Sequence, residues 1–294
     1  MIHTPVLTEE VLHYLDPKPS ENFIDATIGQ GGHAIEILKK NGPDGLLLGI
    51  DLDTSQIENS KLTTKEFKKR TILINDSYTN IKGIVEKENF RPVNGILLDL
   101  GMSSWQLENS KRGFSFQRNE RLDMRYSLTY PLTAEKIINY YSKAEIEKIL
   151  KDYGEEKFAK QIAEKIIEKE KTKSIESTYE LKEIITKALP QRFQRQKIHP
   201  ATRTFQALRI AINHELDNLK DFLPKAVEVL SSGGRLAVIS FHSLEDRIIK
   251  NFFKQKEKEN TVKILTKKTV TAGETELSKN PRSRSAKLRV IVKY

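Results

Sequence analysis

The chain has no cysteine. That absence excludes disulfides, thiolate metal sites and a cysteine nucleophile, and it agrees with a reducing compartment. Long apolar runs are also missing: none approaches the ~18 residues needed to span a bilayer, so no membrane partner is expected. The opening residues, Met1-Ile2-His3-Thr4-Pro5, have neither a basic stretch nor an apolar core. No signal peptide is therefore expected, and a cytoplasmic location is. Histidines with metal-ligand spacing are lacking too. The flanks of His3, His199 and His242 do not place partner ligands, so structural roles and no metal are expected.

Acidic charge is scarce in one region only. Residues 1–189 carry 28 Lys and Arg against 30 Asp and Glu, whereas residues 190–294 carry 22 against 10. The whole net charge of +10 thus sits in the last third. A segregated excess favours a polyanionic partner, most simply nucleic acid. With 294 residues, 37% hydrophobic and 31% charged, the chain has enough material for one large domain or two smaller ones with a proper core.

Against this background, three short apolar runs stand out, each ending in acid or glycine. Asn22-Phe23-Ile24-Asp25-Ala26-Thr27 leads into Gly29-Gln30-Gly31-Gly32-His33. Leu46-Leu47-Leu48-Gly49-Ile50-Asp51 is the second, and Gly95-Ile96-Leu97-Leu98-Asp99 the third. Uninterrupted runs of this length are expected of strands buried on both faces of a parallel sheet, whose ligands sit beyond the carboxyl ends of the strands. Glycines permit a sharp turn and close approach of a ligand to the main chain. Asp51 follows Gly32 by 19 residues, enough for a helix and a return strand, and a carboxylate there can accept hydrogen bonds from a ribose diol. The loop is not the full dinucleotide fingerprint, and the extra acids Asp25 and Asp99 suit a cofactor bearing a cation. That description fits S-adenosylmethionine better than a pyrophosphate.

Along the chain, a helix capped by Thr8 is expected through Leu15, then β-α-β-α-β-α-β over the first hundred residues: strands at 22–27, 45–51, 71–75 and 95–99, with helices at 32–41, 54–67 and 80–88. This is the doubly wound pattern. Residues 100–131 read as a long loop without periodicity. From Thr133 to Pro190 apolar residues recur at helical spacing. Helix is expected again over 201–230, a buried strand over 235–241, a helix starting at Ser243 with Asp246 completing an approximate capping box, and strands at 262–268 and 286–293. The reading is an α/β domain formed by residues 1–114 and 201–294, interrupted by an inserted helical domain at 115–200.

Nine ordered blocks carry a closer resemblance. They are His3-Thr4-Pro5-Val6-Leu7, Asp25-Ala26-Thr27 with Gly29-x-Gly31-Gly32-His33, Asp99-Leu100-Gly101-x-Ser103-Ser104, Arg112-Gly113-Phe114-Ser115-Phe116, Leu122-Asp123-Met124-Arg125, Tyr153-Gly154-Glu155-Glu156, His199-Pro200-Ala201-Thr202-Arg203-Thr204-Phe205-Gln206-Ala207, Ser240-Phe241-His242-Ser243-Leu244-Glu245-Asp246-Arg247, and Asn280-Pro281-Arg282-x-Arg284-Ser285. Spread over nearly the whole chain, they resemble the bacterial ribosomal RNA small-subunit methyltransferase H family. The resemblance implies a Rossmann-like S-adenosylmethionine-dependent fold with a helical insert, and N4-methylation of a cytosine in the decoding region of 16S ribosomal RNA. The implied partner is that RNA within the small ribosomal subunit. Cofactor positions carried over from the family fall on Gly31, Gly32, His33, Asp51, Tyr78, Asp99 and Gln106. Trp105, the sole tryptophan, stands where the family has proline and is given no role.

For the chemistry, the loop after the fourth strand reads Asp99-Leu100-Gly101-Met102-Ser103-Ser104. Asp99 is expected to accept from the amine, with Ser103 or Ser104 assisting. Arg192, Arg195, Lys197, Arg203 and Arg209, interleaved with Phe193 and Phe205, are candidates for gripping RNA, as are Arg282 and Arg284. Three other functions stay open at this point: a methyltransferase acting on another nucleic acid, a non-catalytic RNA-binding ribosome assembly factor, and a nicotinamide-dependent oxidoreductase.

Overall fold

The structure, a computed structural model, describes residues 5–194 and 199–294, with Ser104 described by its backbone alone. The chain divides into two compact units, one formed by Met1–Gly101 with Leu216–Tyr294 and the other by Met102–Glu215.

The first unit starts with α1 (Thr8–Leu15), β1 (Phe23–Asp25), α2 (Gly32–Lys40), β2 (Leu47–Asp51), α3 (Thr54–Thr63), β3 (Thr71–Asn75), α4 (Ile81–Lys87) and β4 (Gly95–Asp99). The second unit contains α5 (Ser104–Glu108), α6 (Ala134–Tyr140), α7 (Lys143–Gly154), α8 (Ala159–Glu170), α9 (Thr178–Ala188), α10 (Gln191–Gln194) and α11 (Ala201–Asn213). The chain then returns through α12 (Glu215–Val229), β5 (Arg235–Ser240), α13 (Ser243–Lys258), β6 (Val262–Ile264), α14 (Glu274–Lys279) and β7 (Lys287–Lys293).

The strands form one sheet of seven in the order β3-β2-β1-β4-β5-β7-β6. The first five are parallel, while β7 runs antiparallel to both β5 and β6. Successive residues of a strand point to opposite faces, and the sheet has a core on each. Ile24, Leu48, Ile96, Leu98 and Val238 join Phe222 and Phe253 on one side. Phe23, Leu47, Leu97, Ala237 and Ile239 join Val11, Ile37 and Leu288 on the other. Burial on both faces is why these strands read as continuous apolar runs. Chain order reverses between β1 and β4, so the crevice of the doubly wound sheet opens at their carboxyl ends. The fold is α/β, a Rossmann-like doubly wound sheet with a helical insert.

The helical unit has its own core, built from Ile137, Ile146, Leu150, Ile162, Ile166, Leu181 and Leu208 among others. Its long non-periodic segment is ordered by side chains rather than by repeats. Asn213 accepts from the Tyr126 amide and donates to the Met124 carbonyl. Arg112 donates to the Tyr126 carbonyl, and Glu120 accepts from the Gly113 amide.

Several expectations are corrected. The insert runs from 102 to 215 and not from 115 to 200, because α5, the segment after it and α11 pack within the helical unit. The helix expected over 201–230 is two helices, since His214 adopts φ 52° and ends α11. Thr8 does not cap α1: Leu7 occupies that position with φ 52°, and the Thr8 hydroxyl donates to the Pro5 carbonyl. Nor does Asp246 complete a box with Ser243. His242 is the cap, its ring accepting from the Glu245 amide while the Glu245 carboxylate accepts from the His242 amide. Asp246 instead takes a two-pronged contact from Arg289 at 2.6 and 3.2 Å. The strand expected over 262–268 is only Val262–Ile264, and α3 stops at Thr63, giving way to a 3₁₀ stretch over Lys65–Arg70.

Candidate cofactor site

Three of the five parallel strands end on aspartate: β1 on Asp25, β2 on Asp51 and β4 on Asp99. The other two end on Asn75 and Ser240. A polar residue at the last strand position is the cheapest way to bring chemistry to the crevice without disturbing the apolar sheet beneath it.

The glycine loop is held from below by the sequence itself. Gly29 and Gly31 have φ of 51° and 81°, conformations that side-chain-bearing residues adopt at a cost. A methyl group on Gly31 would also lie 2.8 Å from the Thr63 hydroxyl, which donates to the Gln30 carbonyl. A methyl group on Gly32 would lie 3.1 Å from the Pro5 ring. Gly31→Ala is therefore expected to destabilise the protein by about 1–3 kcal/mol, read as a lower urea midpoint at unchanged slope.

Asp51 secures the loop from the other side. One carboxylate oxygen accepts from the Gly29 amide at 2.9 Å and the other from the Asp53 amide at 2.9 Å. Burial pushes its carboxyl up to about 7, against the pull of those two amides. Burial likewise pushes Asp25 up to about 7, opposed by the nearby His33 and by the Thr27 amide. The ordinary value for both is 3.8.

His33 lies in the first turn of α2, 6% exposed, with Nε2 3.5 Å from an Asp99 carboxylate oxygen. The Asp99 amide donates to the Thr27 hydroxyl at 2.8 Å, tying the end of β4 to the loop after β1. Buried atoms here lack protein partners: His33 Nε2 makes no hydrogen bond, and neither does Asp99 Oδ1 nor Ser240 Oγ. Unsatisfied buried polar atoms are rare and call for an explanation. Two carboxyls raised toward neutrality and a cluster of unmatched polar atoms fit a ligand that carries positive charge and hydroxyl donors. Ser240 was not singled out from the sequence; its signal is that β5 ends on a polar residue as β1, β2 and β4 do.

Tyr78 follows β3 and is half-buried, its ring edge-on to Phe222 at 5.2 Å. Gly31, Gly32, His33, Asp51, Tyr78 and Asp99 all belong to the first unit.

The remaining candidates belong to the helical unit, apart from the C-terminal arginines. Ser103 caps α5, accepting from the Gln106 amide, while the Gln106 side-chain oxygen accepts from the Ser103 amide. Gln106 is buried, and Ser104 is the first residue of α5. Arg192 and Arg203 are exposed, the latter donating to the Glu155 carbonyl. Arg195 and Lys197 lie outside the described residues. Arg209 is corrected: it is buried and grips Glu215 with two bonds of 2.7 and 2.9 Å, so its charge is already matched inside the unit. Phe205 is buried as well. In the first unit, Arg282 and Arg284 sit exposed on the 3₁₀ turn Pro281–Ser285.

A family model described as the MraW methylase family matches residues 1–294. Among curated proteins, the "Ribosomal RNA small subunit methyltransferase H" of Persephonella marina is 48% identical over 288 residues, covering 98% of each chain. The protein of the same name from Sulfurihydrogenibium sp. is 46% identical with the same coverage. That from Halothermothrix orenii is 45% identical over 304 residues, covering 98% of this chain and 97% of its own.

Proposed function

As the chain belongs to the MraW methylase family, we propose that it transfers a methyl group from S-adenosylmethionine to N4 of a cytosine in 16S ribosomal RNA, acting on the decoding region within the small subunit. The observation that carries this reading is the set of aspartate-ended strands at the crevice, with His33 Nε2 and Asp99 Oδ1 unmatched and Ser240 Oγ unmatched at the end of β5.

When bound, the cofactor supplies a methyl group made electrophilic by its sulfonium. The chain's residues bind and orient. Asp51 takes the ribose hydroxyls while holding Gly29. The Gly31–His33 backbone faces the amino-acid head, with Asp25 and Asp99 offering negative charge to its ammonium and to the sulfonium. Tyr78, braced by Phe222, would take the adenine, and Gln106 is a further candidate for cofactor contact. Cytosine's amine is a poor nucleophile because its lone pair is delocalised into the ring. Alignment at near-attack distance and acceptance of an amino proton are what the protein must provide. Asp99 Oδ1 is the acceptor, with Ser103 or Ser104 assisting: it would take the proton that the amine loses as the methyl passes from sulfur to nitrogen.

Arg192, Arg203, Arg282 and Arg284 grip phosphate, and Arg195 and Lys197 join them. RNA affinity is then expected to fall linearly in log–log against salt, by roughly 0.7–0.9 per phosphate contact. Affinity indifferent to salt would exclude these contacts. The function itself is tested with labelled S-adenosylmethionine and small subunits from cells lacking this gene. Label on N4 of a single decoding-region cytosine is the expected result. Cofactor binding without transfer to any 16S RNA would overturn the substrate assignment.

A further inference from the structure

Within the helical unit, Phe116 and His199 stack with ring centroids 4.6 Å apart and planes 27° from parallel. Neither ring is buried, although both are held in place. Phe116 stands edge-on to the buried Phe205 at 5.2 Å. His199 Nδ1 accepts from the Ala201 amide at 3.1 Å, which fixes the ring's rotation. A rigid, part-exposed pair of planar rings is an unusual use of two side chains in a chain only 7% aromatic. Phe116 also packs against the core of the helical unit, which leaves the rest of the stacked pair accessible.

The sequence around His199 is cationic. Residues 184–203 carry five Lys and Arg and no Asp or Glu. Arg192 is exposed with its guanidinium 4.9 Å from the Phe193 ring, and Arg203 is exposed on α11. Burial and the charge of Lys182 hold His199 below its ordinary value, so the imidazole is neutral at physiological pH. A neutral ring fixed at Nδ1 carries its proton on Nε2. It therefore adds flat π surface and one donor, rather than another charge.

Flat aromatic surface interleaved with cations is the chemistry that binds unpaired nucleic acid, bases stacking on the rings while cations follow the phosphates. We propose that the Phe116–His199 pair is a stacking platform for an unpaired base of the substrate RNA. The proposal rests on the RNA-methylating reading above and adds a contact made by the helical unit to a base rather than to the backbone.

The test uses the full chain and a short unstructured RNA, measured by fluorescence anisotropy, alongside the same strand with abasic sites. His199→Leu keeps volume and removes the π face, whereas His199→Phe keeps the face. His199→Leu is expected to weaken binding of the intact strand roughly 10- to 100-fold, leaving its salt slope unchanged. The abasic strand should bind equally to wild type and variant, and His199→Phe should restore most of the affinity. Wild-type affinity in His199→Leu, or an equal loss with the abasic strand, would overturn the platform. Should the variants fail to fold, the wild-type protein decides: equal affinity for intact and abasic strands overturns the proposal, and preference for the intact strand supports it. If the protein transfers no methyl group yet prefers intact RNA through His199, the platform stands and the methylation reading falls.

Discussion

Asp99→Asn is expected to lower turnover at saturating cofactor by roughly 10²- to 10⁴-fold, the usual contribution of a positioned proton acceptor. The substitution keeps size and shape. It removes the charge, and it replaces one of two acceptor oxygens by an amino group. Because the Asp99 amide, not its side chain, makes the bond to Thr27, the end of β4 stays tied to the loop after β1. The side chain's loss is then felt in two places: beside His33, 3.5 Å away, and at the unmatched Oδ1. Cofactor affinity measured by calorimetry should change by about tenfold or less, since one charge-assisted hydrogen bond contributes ~1.5–3 kcal/mol and only part of it is lost. The discriminating number is the ratio of the two effects. Full turnover in Asp99→Asn would remove this residue from the chemistry, whatever its effect on binding.

Asp51→Asn is expected to weaken cofactor binding ~10- to 100-fold at pH 8 and far less at pH 5.5. The sign follows from the carboxyl, which burial pushes up to about 7. Ribose hydroxyls donate to the ionised form, so binding lowers that value and releases a proton. Wild-type affinity therefore rises with pH up to about 7 and then levels, whereas the variant has no such slope from this position. Stability of the empty protein moves the other way. Asp25 and Asp51 titrate near 7 when folded and near 3.8 when unfolded, so between these values the folded chain holds more protons. Their contribution is fully present below about 3.8 and is lost as pH rises through about 7. Saturating cofactor should offset this loss, and isothermal titration in buffers of differing ionisation heat would count the released proton. A pH-independent affinity in wild type would separate Asp51 from the ribose.

The sheet was legible because its central strands are short, wholly apolar and punctuated, a pattern that only two-sided burial demands. The acids at strand ends were legible for the same reason: Asp25, Asp51 and Asp99 each follow directly on apolar residues, and each is the only charge in its run. What could not be read was non-local. The order in residues 100–131 comes from Asn213, Arg112 and Glu120 reaching across sequence to backbone groups, which leaves no periodic trace. Arg209 looked like its basic neighbours because its partner Glu215 is supplied by the next helix, across the His214 turn. His242 was passed over as a cap because serine is the commoner residue in that role. Phe116 and His199 are 83 residues apart, and their stacking exists only in the fold.

The placement of the insert also has a consequence for how the protein is made. β4 and β5 are hydrogen-bonded neighbours in the middle of the sheet, yet Asp99 leaves β4 long before Arg235 begins β5. At ordinary elongation rates the ribosome needs roughly 7–27 s to cover that interval. Throughout it, the nascent first half presents β4, apolar up to its terminal Asp99, with one side unpaired, the kind of edge that recruits strands from other chains. The intervening helices have a core of their own, which is complete once α11 has been made. Until β5 is made, β4 keeps that edge open, and shielding it during synthesis is expected to raise soluble yield.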